Sequence, residues 1–311
     1  VPREACGVTE PWAADVDVTV DLARALIVQR FPELSSEPVE PLGEGWDNAA
    51  FLVGGEYVFR FPRRAIAAPL IAREIAILPL LAPHLPIAIS EPCFAGGPAQ
   101  TYPWQFAGYR SFPGRSLAAT PLSAESYLRL AKALGTFLRA LHGIDAQAAI
   151  AAGLGGDEIG RLDHSVRMPK LKARFAELQA EKLLEDPKPY LDFLDAVAPR
   201  GPRPERSAIL HGDLYATHVM VEADGTVAGV IDWGDLHLGD PAVDVSIVFE
   251  LLPEPARERF IAAYGAIDDR TWELARYRAI YHAALVAHYG HRIGNEELLR
   301  AGLTGLQYAA P

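Results

Sequence analysis

Apolar positions alternate along the first third of the chain and recur at helical spacing along most of the rest. Val20, Leu22, Ala23, Leu26, Ile27 and Phe31 share one helical face over residues 18–31, and Pro32 ends that helix. Ala50 to Val53 and Tyr57 to Phe61 alternate as strands about Gly54-Gly55, a hairpin signal. Residues 63–81 are predicted helical, interrupted by Pro69 and closed near Pro79, and a further strand pair is expected around 90–95 and 104–110. Pro113-Gly114 breaks this pattern. Beyond it Tyr127, Leu130, Ala131, Leu134, Phe137, Leu138 and Leu141 form an amphipathic stripe, and helices are expected again at 167–184, 191–198, 241–252, 255–264, 271–290 and 295–308. Two short apolar runs, Val219–Val221 and Val227–Ile231, interrupt the helices around the turn Asp224-Gly225. The pattern predicts an α+β chain: a sheet-bearing N-terminal lobe over 1–110 and a mainly helical lobe over 111–311.

Composition narrows the function. The chain has 311 residues, half of them hydrophobic, enough for one large or two modest domains. Its 29 Lys and Arg against 40 Asp and Glu give a net charge of −11, which argues against a nucleic-acid binder. Cys6 and Cys93 form neither a zinc spacing nor a disulfide framework. The longest apolar region, 65–89, is broken by Arg73, Glu74, His84 and four prolines, so no segment has the about 20 uninterrupted apolar residues of a membrane span. A soluble, cytoplasmic protein is expected, a monomer or homodimer, with no nucleic-acid or membrane partner.

The chemistry concentrates in His211-Gly212-Asp213-Leu214-Tyr215-Ala216-Thr217-His218 and in Val230-Ile231-Asp232-Trp233. Each places a carboxylate at the end of an apolar run, with Asp232 expected on the return strand. Asp213 can accept a proton, and His218 with Asp232 can hold a cation; phosphoryl transfer needs such a set. Asp240 and Asp244 are expected to be structural, with Asp240 capping a helix that Pro241 opens. In the first lobe, Gly43-Glu44-Gly45 with Asn48 lies in a loop whose glycines allow close backbone approach to phosphates or simply make a turn. Arg60 faces away from Tyr57, Phe59 and Phe61 on its strand, and Glu74 lies 14 residues later on the next helix.

At these residues the chain resembles the aminoglycoside phosphotransferase family and, within it, is similar to macrolide phosphotransferases. The resemblance runs from the Gly43 loop to the last helices and is most specific at His211-Gly212-Asp213-Leu214, Ile231-Asp232-Trp233-Gly234-Asp235 and Gly239-Asp240-Pro241-Ala242-Val243-Asp244. It implies a two-lobed protein-kinase-like fold, a nucleoside triphosphate (ATP or GTP) and Mg²⁺, and a small-molecule alcohol as acceptor. On that resemblance Asp213 is the catalytic aspartate and Asp232 a magnesium ligand. His218 stands where most members carry Asn as second ligand. Arg60 replaces the usual phosphate-contacting lysine, and Glu74 is its partner. Gly43, Gly45 and Asn48 are expected at the nucleotide, and Tyr109, Ser111 and Phe112 fall at the hinge that binds the purine. Whether the acceptor is a macrolide, an aminoglycoside or an unrelated metabolite is left open. A nucleotide-binding pseudokinase is the alternative.

Overall fold

A computed structural model describes residues 14–45, 47–198, 201, 203 and 206–311. It divides into two compact units, one formed by residues up to Pro79 with Glu91–Ser111, the other by Leu80–Ser90 with Phe112–Pro311.

The first unit opens with α1 (Val20–Arg30), capped by Thr19, whose hydroxyl accepts the Leu22 N–H. The strands β1 (Val39–Glu44), β2 (Asn48–Val53) and β3 (Tyr57–Pro62) follow, then α2 (Ala68–Leu81), β4 (Pro92–Gly96) and β5 (Phe106–Arg110). They make one antiparallel sheet in the order β1-β2-β3-β5-β4. Gly54 and Gly55, both at positive φ, turn β2 into β3 as the hairpin signal predicts. Alternation along β3 buries Phe59 and Phe61 completely in an aromatic cluster with Phe31, Phe94, Phe106 and Tyr102.

Two expectations are corrected here. Gly43 and Glu44 belong to β1 rather than to a loop, with an irregular register between Pro41 and Gly43. The helix predicted over 63–81 starts only at Ala68; Pro69 occupies its first turn, where a missing N–H costs nothing, and Pro79 lies inside it rather than ending it.

The second unit comprises β6 (Arg115–Ser116), α3 (Ala124–His142), α4 (Gln147–Ala151), α5 (His164–Ala180), α6 (Lys188–Ala196), β7 (Ala208–Leu210), β8 (Val219–Val221), β9 (Val227–Val230), β10 (His237–Gly239), α7 (Ala242–Val245), α8 (Ile247–Leu251), α9 (Glu254–Tyr264), α10 (Asp269–Arg292) and α11 (Glu296–Ala309). Ser123, Asp163, Asp268 and Asn295 cap α3, α5, α10 and α11 through their side chains. α10 packs against α11, and α3 against α9. β8 and β9 form the expected hairpin, joined by β6. Ile209-Leu210 is not part of it: β7 pairs with β10. Asp240 is not the N-cap expected: the helix starts at Ala242 with Pro241 at the N-cap, and Asp240 lies one residue earlier, its Oδ1 accepting the Ala242 N–H at 2.9 Å. Among the described residues no helix is long and apolar enough to cross a membrane.

Candidate active site

His211-Gly212-Asp213 leaves the end of β7 in a turn that only glycine can make. Gly212 has φ +85°, and a Cβ there would lie 2.3 Å from the Asp235 carbonyl oxygen. Its peptide is clamped on both sides. Asp244, fully buried at the start of the 242–251 helical segment, accepts the His211 and Gly212 N–H groups, each at 2.8 Å. Arg161 donates from Nε to the Gly212 carbonyl at 2.9 Å and pairs with Asp235 at 2.6 Å. His142 supports Asp244 from behind, with Nε2 at 3.2 Å from Oδ2. Burial would raise the Asp244 carboxyl, but the His142 hydrogen bond and the Gly212 amide outweigh it and hold it anionic. His211 is also fully buried; burial pushes its imidazolium down, so it is neutral, donating from Nε2 to the Ile231 carbonyl and accepting the Asp213 N–H on Nδ1.

This turn delivers Asp213, His218 and Asp232 to one place. His218 donates from Nδ1 to the Asp213 carbonyl at 2.8 Å, which leaves its Nε2 facing Asp232 Oδ2 at 3.4 Å. The Ile231 N–H bonds the His218 carbonyl at 2.9 Å and locks the two segments together. Asp232 is not on the return strand as expected: β9 ends at Val230, and Asp232 adopts left-handed backbone (φ +63°), which aspartate tolerates better than bulky residues do. That twist sets its half-exposed carboxylate beside His218.

The other face of Asp213 meets α10. His282 Nε2 lies 3.2 Å and Arg278 Nη2 3.8 Å from Oδ1. His282 Nδ1 is bound in turn to Glu250 of α8 at 2.7 Å, and the Tyr215 ring packs against both His218 and His282. Burial alone would raise Asp213; the His282 hydrogen bond, with the charges of His282 and Arg278, reverses this and holds it well below the usual carboxylate range. Burial alone would depress His282; Glu250 and Asp213 outweigh it and push His282 up to about 9.

In the first unit Arg60 donates from Nη1 to both Glu74 oxygens at 3.1 Å, and Tyr109 Oη donates to Glu74 Oε2 at 2.7 Å. Glu74 is fully buried. Gly43 lies in β1 opposite Ala50, Asn48 opens β2, and Gly45 lies between the strands with its N–H on the Asn48 carbonyl. The Ser111 N–H is already bonded to the Glu56 carbonyl, so it is not available to a base. Phe112 belongs to the second unit, its ring covering Gly229 so closely that a Cβ there would lie 2.7 Å away. The structure thus gathers Arg60, Glu74 and Tyr109 in one unit, and Asp213, His218 and Asp232 in the other.

Residues 38–280 match the sequence profile described as the phosphotransferase enzyme family. The chain belongs to that family. A solved structure of the GDP complex of an aminoglycoside 2'-phosphotransferase-IIIa single-site mutant is 26% identical, with a TM-score of 0.69, covering 94% of this chain and 97% of its own. The apoenzyme of macrolide 2'-phosphotransferase MphH from Brachybacterium faecium is also 26% identical, at a TM-score of 0.58, covering 92% and 98%. Viomycin phosphotransferase of Streptomyces vinaceus is 37% identical over 103 residues, 32% of this chain and only 36% of its own length. The architecture is accordingly the kinase-like α+β fold of phosphotransferases, with an antiparallel-sheet N-terminal lobe and a helical C-terminal lobe.

Within this phosphotransferase, sequence reasoning missed the parts that Arg278, His282 and Glu250 play around Asp213. The available signal was charge at i and i+4 on a face of α10 that is otherwise buried, a pattern rare in ordinary helices. His282 carries a pH signature. Its folded value lies above the ordinary 6.5, so its contribution to stability is fully present below about pH 6.5 and lost as pH rises through about 9. His282→Gln is expected to remove a contribution on the order of 3 kcal/mol at pH 6 and to matter far less at pH 10. Denaturant unfolding of both proteins at the two pH values checks this; an equal loss at both would refute it.

Proposed function

We propose that this protein transfers the γ-phosphoryl group of ATP or GTP to a hydroxyl of an antibiotic-like small molecule. The observation that carries this reading is the convergence of the Asp213 and Asp232 carboxylates on His218, with Asp213 held anionic by α10. Support comes from family membership and from neighbours bound to GDP, or to streptomycin with ATP.

The residues fit a magnesium ion. His218 Nδ1 is committed to a carbonyl, so its Nε2 lone pair and Asp232 Oδ2 point at a common position. Among the described residues no group of three or more His, Cys, Asp or Glu makes a complete metal cage. Mg²⁺ is ordinarily held by one or two carboxylates and completes its shell with phosphate oxygens and water, a part that Asp232 can fill. Bound there, Mg²⁺ would supply charge neutralisation on the nucleotide phosphates. Asp213 accepts the hydrogen bond of the acceptor hydroxyl and aims its oxygen. Because its surroundings hold it anionic, it is a weak base, and it takes the proton only as the new O–P bond forms and the γ-phosphorus parts from the bridging oxygen, which leaves with the nucleoside diphosphate. Arg60, oriented by Glu74, is the cation for the phosphates in the first unit.

Asp232→Ala is expected to weaken nucleotide binding in the presence of Mg²⁺ by at least roughly tenfold and to flatten its Mg²⁺ dependence. Titration of nucleotide at several Mg²⁺ concentrations measures both, and unchanged affinity would remove Asp232 from the metal site. Transfer itself shows as mass gained by an alcohol incubated with Mg-ATP or Mg-GTP; no gain with any acceptor contradicts the reading.

A further inference from the structure

Three arginines surround one buried tyrosine beside Asp213. α5 carries Arg167, Leu171, Arg174 and Leu178 at i, i+4, i+7 and i+11, so both arginines share a face with leucines that are about fully buried. α10 carries Tyr281 next to His282 and Arg278 one turn before it. The guanidinium carbons of Arg167, Arg174 and Arg278 lie 5.2, 5.1 and 6.0 Å from the Tyr281 ring centre. Arg167 and Arg174 both donate from Nη1 to its hydroxyl, at 3.3 and 2.8 Å.

Among the described residues none of the three has a carboxylate at hydrogen-bond distance. Arg167 otherwise donates to the carbonyls of Gly160 and Ile159. Arg174 bonds only Tyr281 among the described residues, and Arg278 makes no hydrogen bond there, its nearest carboxylate being Asp213 at 3.8 Å. Asp163 and Glu177 feel Arg167 and Arg174, but Asp163 caps α5 and Glu177 binds His288. Arg161 is balanced by Asp157 and Asp235. Three guanidiniums and the His282 imidazolium therefore face two carboxylates, Asp213 and Glu250, and Glu250 is held by His282. Burial of guanidinium without a counter-ion is costly, and like charges packed together add to the cost. Arg167 and Arg278 are more than nine-tenths buried. A cluster of this kind is stable when an anion completes it, and guanidinium forks suit oxyanions best.

We propose that Arg167, Arg174 and Arg278, gathered around Tyr281, form an oxyanion subsite that takes a carboxylate or phosphate group of the acceptor. Arg278 touches both the cluster and Asp213, so an oxyanion bound here lies next to the hydroxyl that Asp213 orients. Assignment of the oxyanion to the acceptor rests on the kinase reading; the existence of the subsite does not. The acceptor is then a hydroxy compound with an acidic group near its reactive hydroxyl, and an ammonium-rich amino sugar is disfavoured at this position.

The test is calorimetric titration of inorganic phosphate, and separately of citrate, into the full chain at low ionic strength. Saturable binding is expected, at least roughly tenfold weaker in Arg174→Gln. Arg174 is only partly buried, so that variant should keep its thermal midpoint. If it does not fold, Arg174→Lys, which keeps the charge without the fork, should still weaken binding. Binding should persist in the presence of a non-hydrolysable Mg-triphosphate nucleotide. Absence of saturable binding to the wild type, equal binding by the Arg174 variant, or displacement of phosphate by the nucleotide would each overturn the proposal. So would a tyrosinate absorbance at neutral pH that vanishes in Tyr281→Phe, because Tyr281 would then be the counter-ion. Phosphate binding without transfer to any alcohol would sink the kinase reading and leave the subsite standing. Transfer to neutral or cationic alcohols without phosphate binding would do the reverse.

Discussion

Asp213→Asn is expected to lower turnover by roughly 10²–10⁴-fold while nucleotide affinity stays within about twofold of the wild type. The substitution keeps the shape of the side chain but removes the charge that His282 and Arg278 hold in place at 3.2 and 3.8 Å. An amide oxygen accepts a hydrogen bond from the acceptor hydroxyl more weakly and takes no proton. The loss should fall on kcat rather than on KM for nucleotide, because the proposed division of roles gives the hydroxyl to Asp213 and the metal to Asp232 with His218, whose Nε2 lies 3.4 Å from Asp232 Oδ2. Single-turnover transfer with saturating Mg-nucleotide separates the two. A fall confined to nucleotide affinity would place Asp213 in the metal site instead.

The second large effect is on stability. Asp244→Ala is expected to cost about 3–5 kcal/mol, or on the order of 10 °C in thermal midpoint. The carboxylate is fully buried and accepts two amides at 2.8 Å and the His142 ring at 3.2 Å. Its removal leaves two buried N–H groups without acceptors, each costing about 1–3 kcal/mol. Gly212, held at positive φ, cannot turn to find others. Asp244→Asn, which keeps one acceptor oxygen, should cost about half as much. Calorimetry decides; a loss under about 1 kcal/mol for the alanine variant would mean that the turn at 211–213 is held elsewhere.

Much of this was legible in the chain because local chemistry dictates it. Glycine before Asp213, Asp224-Gly225 between two apolar runs, and alternation through Tyr57, Phe59 and Phe61 each have one good conformational answer, and the fold adopts it. The structural parts expected of Asp240 and Asp244 follow from their place before a helix, although only the fold shows that Asp244 reaches back to the 211–212 amides. What stayed hidden depends on tertiary approach. β1 was obscured by Pro41 and Gly43, which punctuate a strand that pairing with β2 nonetheless holds. Asp232 looked like a strand residue because nothing local announces a left-handed twist two residues past β9. Arg278 and His282 sit 65 and 69 positions after Asp213 and join it only through the packing of α10. Glu250, Arg167 and Arg174 are ordinary helix residues until that packing is known.

The central claim is phosphoryl transfer with Asp213 at the acceptor. Its most direct measurement is mass analysis of a panel of alcohols, including macrolides, aminoglycosides and hydroxy acids, after incubation with Mg-ATP or Mg-GTP and either the wild type or Asp213→Asn. A product heavier by one phosphoryl group with the wild type, and nearly absent with Asp213→Asn, is predicted. Nucleotide binding with no phosphorylated product across the panel, or equal product from both proteins, would contradict it.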